Sequence, residues 1–396
     1  MKKTKDLIQL TDDYVLNTYT RLPIVLVKGK GSKVWDADGN QYLDFFPGWA
    51  VSGLGHCPDL VVKAIQKQAK KILHVSNNYY NQLQGELAKK IIQYSFPGKV
   101  FFCNSGAEAI EGVIKLARAY GNPKQNEIIS MTDSFHGRTL AAITATGQLK
   151  YQKGFEPLPA GFKHVEFNNL EAVKQALTDK TAAIILELIQ GEGGINVASR
   201  EFVVGLRNLC DEKNILLIFD EVQTCMGRTG DIFCFKNYGV EPDCFTLAKS
   251  LGGGVPIGAF VVKEKYAHVL KPGMHASTFG GGPLVCAAAL ATFKMIEDKN
   301  LLKNALDQGF YLYKRLNALK NKYRAIKKIR GMALMIGVEL SKPGKHVVEE
   351  CLKRKLLINC THDKVLRIMP PLTVTKKEID KAIKILDEAL KVASSQ

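Results

Sequence analysis

Two hydrophobic patterns alternate along the chain. Short continuous apolar runs are separated by stretches in which apolar residues recur every three to four positions, a pattern typical of a mainly parallel sheet with amphipathic helices on both faces. The predicted helices are 59–73, 85–94 and 107–120. The predicted strands are 100–103, 127–131, 182–187, 215–219, 244–247 and 257–262. The sequence therefore predicts an α/β fold, whose ligands bind at the carboxyl ends of the strands.

The two ends of the chain follow other patterns. Residues 24–44 have strand composition and a turn at Asp38-Gly39, which predicts a β hairpin. After about residue 290 helices predominate, and the last is predicted to start at the capping box Thr375–Glu378. Strands are predicted there at 332–340 and 365–369. Because 396 residues exceed a single core, we expect domain boundaries near residues 55 and 290, which divide the chain into 1–55, 56–290 and 291–396.

Composition and charge narrow the class of protein. Hydrophobic residues make up 46% and charged residues 23%, as in soluble globular proteins. The net charge of +17 would suit a nucleic-acid-binding protein. However, the lysines of the last third alternate with an apolar stripe, which indicates a solvated helix face: Lys376, Lys377, Lys381, Lys384 and Lys391. Nucleic-acid binding is therefore the distant alternative.

Location and metal binding follow from local composition. No apolar run approaches the roughly 20 residues of a membrane span, and the basic N-terminus turns acidic before any signal core. We therefore expect a cytoplasmic protein without a membrane segment. The nine cysteines include no Cys-x-x-Cys pair, so we interpret them as mostly buried thiols and expect no metal.

A lysine and an aspartate follow predicted strands. Asp220 ends the apolar run 215–219, and Lys249 precedes the glycine-rich turn 252–254. Pyridoxal phosphate needs an amine that holds its aldehyde as a Schiff base and a carboxylate that keeps its ring nitrogen protonated. The pair is typical of such a site, although a helix cap at a strand end is the alternative for Asp220.

Other polar motifs also lie beside predicted strands. Ser105 opens a helix, where free N–H groups suit a phosphate, although an N-cap is the plainer interpretation. In the loop 134–139 an aromatic ring can stack on a cofactor and Arg138 can bind a carboxylate in a bidentate manner. His136 could act as a general base, but we interpret it as structural because Lys249 can itself move protons.

Taken together, these motifs resemble those of the class III pyridoxal-phosphate aminotransferases of fold type I. The resemblance extends over nearly the whole chain, and within the class it is strongest to the acetylornithine aminotransferases. It implies that 56–290 form a large cofactor-binding domain and that 1–55 and 291–396 together form a small domain. The motifs that carry it are Phe135-His-Gly-Arg138, Gln190-Gly-Glu-Gly-Gly194, Asp220-Glu-Val-Gln223, His275-Ala-Ser-Thr-Phe-Gly-Gly-Gly282 and Arg367-Ile-Met-Pro-Pro371.

The resemblance implies roles for individual residues. Lys249 would bind pyridoxal 5'-phosphate covalently, and Asp220 would pair with its ring nitrogen. The other implied cofactor contacts are phosphate binding by Ser105, Gly106 and Ala107, stacking by Phe135, cover of the other ring face by Val222, a bond to the ring oxygen by Gln223 and phosphate binding by Thr278 of the neighbouring subunit.

The implied substrate contacts are fewer. Arg367 would hold the α-carboxylate of glutamate and pair with Glu192 when the other substrate binds, whereas a surface arginine on an edge strand is the alternative that the residue alone leaves open. Arg138 would bind the distal carboxylate, with Ser277 close to the substrate. Trp49 stands where related enzymes carry an aliphatic residue or a tyrosine, and its indole would narrow the pocket.

Some positions depart from the family pattern. Gly282 stands where Asn is usual, Cys225 where Gly is usual, and Cys57-Pro58 where His-Pro is more frequent. We expect a homodimeric enzyme with shared active sites that transfers the δ-amino group of N2-acetylornithine to 2-oxoglutarate. Other class III enzymes that act on ornithine, succinylated diamines or 4-aminobutyrate share the cofactor residues, so the amine donor stays open.

Overall fold

The computed structural model describes residues 4–394. Its α-helices are α1 (Thr4–Tyr14), α2 (Asp59–Ala69), α3 (Gln82–Tyr94), α4 (Gly106–Gly121), α5 (Leu140–Ala145), α6 (Leu149–Gln152), α7 (Leu170–Ala176), α8 (Arg200–Lys213), α9 (Pro283–Asp298), α10 (Leu301–Lys322), α11 (Lys345–Lys353) and α12 (Lys376–Ser394).

Seventeen strands are found in the same residues. They are β1 (Leu26–Lys30), β2 (Lys33–Asp36), β3 (Gln41–Asp44), β4 (Gly98–Cys103), β5 (Glu127–Met131), β6 (Phe162–Val165), β7 (Thr181–Leu186), β8 (Ile189–Gln190), β9 (Asn196–Val197), β10 (Leu216–Asp220), β11 (Cys244–Leu247), β12 (Gly258–Lys263), β13 (Ile326–Met332), β14 (Met335–Leu340), β15 (Leu356–Leu357), β16 (Asn359–Thr361) and β17 (Val365–Ile368).

A seven-stranded sheet in the order β4-β12-β11-β10-β7-β5-β6 forms the centre of the fold. Strands β6, β5, β7, β10 and β11 run parallel, whereas β12 is antiparallel to both of its neighbours. The connection 248–257 is too short for the crossover that a parallel β12 would need. The predicted α/β fold with a mainly parallel sheet is confirmed, and this tight reversal places Lys249 just after β11.

The core explains why the central strands read as continuous apolar runs. Every residue of β7, β10 and β11 is buried, because side chains pack against both faces of the sheet. Helix α4 covers one face with Ile110 and Val113, while Leu217 and Phe219 point into the larger cluster on the other. No helix within residues 4–394 is long and apolar enough to cross a lipid bilayer.

The two chain ends meet in smaller sheets. Strand β15 pairs in parallel with β3, so the sheet β1-β2-β3-β15 draws on both ends of the sequence. The hairpin that turns at Asp38-Gly39 is present as β2 and β3. Helix α12 starts at the predicted capping box, where Thr375 and Glu378 bond each other's backbone N–H groups. The domain boundaries at 55 and 290 stay a prediction.

One predicted strand is only partly confirmed, since β14 covers Met335–Leu340 of the predicted 332–340. Residues 332–340 do not form a continuous strand, because the chain turns at Ala333 and pairs β13 with β14 as a hairpin. Ala333 has a φ of 47°, in the left-handed region that residues other than glycine seldom adopt. Nothing in the apolar run marks that turn, so hydrophobic periodicity alone could not find it. The exposed lysines of α12 do confirm the predicted solvated face.

Candidate active site

A cavity of about 370 Å³ opens at the carboxyl ends of β4, β10 and β11. This is the edge at which α/β sheets bind ligands. The sequence-predicted residues that line it are Ser105, Gly106, Ala107, Phe135, Glu192, Asp220, Val222, Gln223 and Lys249. The fold therefore brings residues separated by more than a hundred positions to one site.

Lys249 projects its amine into this cavity from the turn after β11. Its backbone has a φ of 46°, a left-handed conformation that costs a lysine roughly 1 kcal/mol. Burial lowers the pKa of Lys249, against the opposing attraction of Glu192, Asp220 and Glu187. A lowered pKa raises the fraction of neutral amine, which is the form that attacks an aldehyde.

Asp220 is held by three partners at the end of β10. Its Oδ2 lies 2.7 Å from His136 Nδ1, and its Oδ1 accepts hydrogen bonds from Val222 N at 3.0 Å and Thr246 Oγ1 at 3.1 Å. Burial by itself would lower the pKa of His136, but the hydrogen bond and charge of Asp220, together with the charge of Glu187, outweigh it and raise that pKa. The buried carboxylate therefore faces a histidine that favours the charged form.

The His136–Asp220 contact was not found from the sequence. We interpreted His136 as structural, and the structure shows that it contacts the acid assigned to the cofactor ring. The two residues lie 84 positions apart, and no spacing rule in a sequence predicts a contact between a loop after one strand and the end of another. Only the order of strands in the sheet brings them together.

The N-terminus of α4 is built as a cradle. Ser105 is the N-cap, and its side chain accepts a hydrogen bond from Glu108 N at 3.2 Å, so the capping interpretation is confirmed. It also lines the cavity with Gly106 and Ala107, whose N–H groups belong to the unpaired first turn of the helix. A Cβ built on Gly106 would lie 2.8 Å from Val222 Cγ1. Because glycine has no Cβ, Val222 packs closely against it and the backbone N–H groups stay open to an anion.

A buried acceptor faces the same space. Gln223 Oε1 has no hydrogen-bond partner within residues 4–394, although it is shielded from solvent. On the opposite wall, Phe135 N donates to Glu187 Oε2 at 3.0 Å, and burial raises the pKa of Glu187. Pyridoxal phosphate fits the groups that meet in this cavity, which are an amine, a buried carboxylate, an anion cradle, an aromatic ring and an unpaired acceptor. Lys249, Asp220, Ser105, Phe135 and Gln223 would hold it.

Arg367 lies beside the cavity on β17, an inner strand of its sheet, so the surface alternative is wrong. It is 1% exposed, and its Nη1 lies 2.5 Å from Glu192 Oε1. Its guanidinium carbon lies 4.5 Å from the ring centre of Phe46 and 5.3 Å from that of Trp49. The predicted Arg367–Glu192 pair is present in the structure.

Four other predicted residues lie outside the cavity lining. Arg138 is exposed, with its guanidinium 4.2 Å from the ring centre of Tyr151. Trp49 is 54% exposed, Thr278 is exposed, and Ser277 Oγ accepts a hydrogen bond from Asn104 Nδ2 at 3.2 Å. Their assigned contacts with substrate and phosphate stay predictions.

Cys225 and Gly282, two of the departures from the family pattern, are buried and lie outside the cavity lining. Cys225 is buried, with its Sγ 3.7 Å from the carbonyl oxygen of Ala248. Gly282 is the N-cap residue of α9. Most of the nine cysteines are buried as predicted, Cys57 being exposed and Cys360 intermediate.

Known proteins resemble this chain over its whole length. Residues 14–390 match the model of the class III aminotransferases. The acetylornithine aminotransferase of Methanocaldococcus jannaschii is 54% identical over 96% of this chain and 97% of its own. The relative of the same name from Caldanaerobacter subterraneus subsp. tengcongensis is 52% identical over 95% and 97%.

Solved structures give the same picture. The ornithine aminotransferase of Toxoplasma gondii ME49 superimposes with a TM-score of 0.96 at 32% identity, covering 100% of this chain and 96% of that one. The acetylornithine aminotransferase of Elizabethkingia anophelis gives 0.88 at 30% identity, with 99% and 100% covered. The chain belongs to the class III aminotransferases, which use pyridoxal phosphate.

Proposed function

We propose that this aminotransferase moves the δ-amino group of N2-acetyl-L-ornithine to 2-oxoglutarate, giving N-acetylglutamate 5-semialdehyde and glutamate. This is a step of arginine biosynthesis, which we place in the cytoplasm. Curated relatives named acetylornithine aminotransferase at 46–54% identity support the choice of donor. The observation that carries the reaction type is the placement of Lys249 and Asp220 in one cavity beside the Arg367–Glu192 pair.

The cavity residues divide the chemical work. Bound pyridoxal phosphate supplies an aldehyde that takes up the amino group and a protonated ring that draws electrons from the carbon that loses its proton. Lys249 Nζ would accept the proton that the substrate carbon loses and would hold it for return. Asp220, paired with His136, keeps a negative charge beside the ring nitrogen. Phe135 and Val222, which both line the cavity, would exclude water from the bound cofactor.

Arg367 and Glu192 let one pocket accept two kinds of substrate. With Glu192 on Arg367, the cation is neutralised and a terminal amine that lacks a neighbouring carboxylate can enter. When Glu192 moves away, Arg367 is free to bind the α-carboxylate of glutamate or 2-oxoglutarate in a bidentate manner. Arg138, at the exposed rim, binds the distal carboxylate in both half-reactions.

A second copy of the chain completes the site in this proposal. Thr278 lies on an exposed segment of the chain. Next to it, the carbonyl oxygen of Ser277 accepts a hydrogen bond from Asn77 Nδ2 at 3.0 Å. Large apolar side chains near this segment are exposed, among them Leu73, Tyr79, Tyr80 and Phe279. Apolar groups of this size clustered on a surface support a protein interface. We infer a homodimer in which Thr278 completes the phosphate cup of its neighbour.

The test combines covalent labelling with a substrate panel. Borohydride reduction of the holoenzyme is expected to leave the cofactor on the peptide that contains Lys249, as mass spectrometry would show. Lys249→Ala should lose turnover by at least a thousandfold, whereas Lys263→Ala, at the far end of β12, should keep it. Rates should be highest with N2-acetylornithine among N2-acetylornithine, ornithine, 4-aminobutyrate and succinylated diamines. Full turnover by Lys249→Ala would refute the mechanism.

Free ornithine is the second candidate donor. The ornithine aminotransferase of Toxoplasma gondii ME49 shares the fold at a TM-score of 0.96, but its identity of 32% is well below the 54% of the acetylornithine enzyme of Methanocaldococcus jannaschii. A higher kcat/KM with ornithine than with N2-acetylornithine would favour this second reaction.

A further inference from the structure

The guanidinium of Arg367 has two hydrogen-bond acceptors besides Glu192. Asn359 Oδ1 accepts hydrogen bonds from Arg367 Nε at 2.8 Å and from Nη2 at 2.5 Å. The carbonyl oxygen of Gly191 accepts one from Nη1 at 3.1 Å. Glu192 is therefore only one of three acceptors around this buried cation.

A count of N–H groups shows what each acceptor does. Arginine has one N–H on Nε and two on each terminal nitrogen. Asn359 occupies the Nε group and one on Nη2, and Gly191 occupies one on Nη1. One N–H on each terminal nitrogen is left, and Glu192 Oε1 reaches the one on Nη1. These two groups form the parallel pair that binds a carboxylate in a bidentate manner.

The position of Asn359 follows from the strand register. Asn359 on β16 lies directly opposite Arg367 on β17 in the antiparallel ladder, so both side chains leave the same face of the sheet. The face of the guanidinium is covered by Phe46, at 4.5 Å. Asn359 and Phe46, which are remote in sequence from Glu192, thus fix the plane and direction of the cation whether or not Glu192 is in place.

We propose that Asn359 is a positioning residue that keeps Arg367 oriented when Glu192 moves away, so that a substrate α-carboxylate meets a pre-aligned cation. This inference rests on the proposed function. A neutral amide suits the task because it accepts two hydrogen bonds without neutralising the charge. An acid there would compete with the substrate carboxylate, and an apolar residue would leave two buried N–H groups unpaired.

Binding of glutarate to the holoenzyme tests the proposal. Glutarate has two carboxylates but no amino or keto group, so it can bind without reacting, and calorimetry gives its Kd. Asn359→Ala should raise that Kd about tenfold or more. The isosteric Asn359→Asp keeps the shape of the side chain, so this variant should still fold. It should raise the Kd for glutarate at least as far. Cys360→Ala, the next residue on β16, is the matched control and should leave the Kd unchanged.

Half-reactions separate a positioning role from general damage. In both Asn359 variants KM for 2-oxoglutarate should rise, while the reaction of the amine donor, which we place with Arg367 still paired to Glu192, should keep its rate. Glutarate binding within twofold of wild type in both variants, or equal losses in the two half-reactions, would overturn the role of Asn359. Failure of the wild-type enzyme to transaminate any amine would instead overturn the proposed function.

Discussion

His136 Nδ1 and Asp220 Oδ2 lie 2.7 Å apart in a site where both side chains are almost completely buried. His136 lies in the loop after β5 and Asp220 is the last residue of β10, so the contact ties that loop to the end of β10. On its far side His136 Nε2 lies 3.3 Å from Ser130 Oγ. The histidine is therefore fixed at both nitrogens and holds the carboxylate in place.

Replacement of His136 by Asn should weaken cofactor binding. Asp220 would lose a charge-assisted hydrogen bond in a buried site, a loss of about 2 kcal/mol that corresponds to a roughly 30-fold higher Kd for pyridoxal phosphate. Absorbance titration of the apoenzyme measures it. His164→Asn is the matched control, because His164 is partly buried nearby but bonds the carbonyl of Ala145. Equal Kd values for all three proteins would contradict the assigned role.

The same pair makes a pH-dependent contribution to stability. Because the folded state raises the pKa of His136 above 6.5, this stabilisation is complete below about pH 6.5 and is lost as the pH rises through the raised pKa. The difference in denaturation midpoint between wild type and His136→Asn should therefore shrink from pH 6 towards alkaline pH. A difference that grows over this range would refute the charged pair.

Gly106→Ala should disturb the cradle at the start of α4. The new Cβ would lie 2.8 Å from Val222 Cγ1 and 3.0 Å from Cγ2, so Val222, which also lines the cavity, must shift. We expect the Kd for pyridoxal phosphate to rise by about tenfold, or 1.4 kcal/mol, as measured by titration of the apoenzyme. Gly85→Ala, where a Cβ meets open space in α3, should leave binding unchanged and stabilise the fold by up to about 1 kcal/mol.

Replacement of Arg228 should lower the stability of the fold. This buried guanidinium donates to the carbonyl oxygens of Leu334 and Pro370, and within residues 4–394 its Nε and Nη2 have no partner. Burial lowers its pKa to about 10. Arg228→Ala should lower the stability by roughly 3 kcal/mol or more through the cavity and the unpaired carbonyls.

Arg228→Met separates volume from charge. It fills most of the space without a buried charge, so its loss should be smaller than that of Arg228→Ala. Urea denaturation measures both, with the exposed Arg200→Ala as a neutral control. A loss for Arg228→Met as large as that for Arg228→Ala would show that the guanidinium and its hydrogen bonds, and not the filled volume, stabilise the fold.

Glu221 should make stability fall towards neutral pH. Burial raises its pKa to about 7 from 4.5, although Cys234 N, Phe235 N and Thr224 Oγ1 donate to it. A raised carboxyl pKa gives a contribution that is complete below about pH 4.5 and is lost as the pH rises through about 7. Wild type should therefore lose stability relative to Glu221→Gln between pH 5 and 8, measured as denaturation midpoints. A constant difference across that range would exclude this titration.

Hydrophobic patterning along the chain was enough to predict the element types of the central sheet. Continuous apolar runs became β7, β10 and β11 because strands covered on both faces need no polar side, and this period of burial is a local property. The same apolar runs predicted where the strands end, so Asp220 and Lys249 could be assigned to the ligand-binding edge of the sheet. The resemblance to a family added the roles of Phe135, Val222 and Gln223, which no spacing in the chain would give.

The contacts between elements could not be predicted in the same way, because they depend on how the elements pack. The turn at Ala333, the His136–Asp220 pair and the hold of Asn359 on Arg367 depend on φ values, strand order and register. None of these leaves a periodic trace in the sequence, because each arises from segments that meet after folding. Burial periodicity fixes what a segment becomes, whereas the sheet's packing fixes which side chains share one cavity, and with them the charges that tune it.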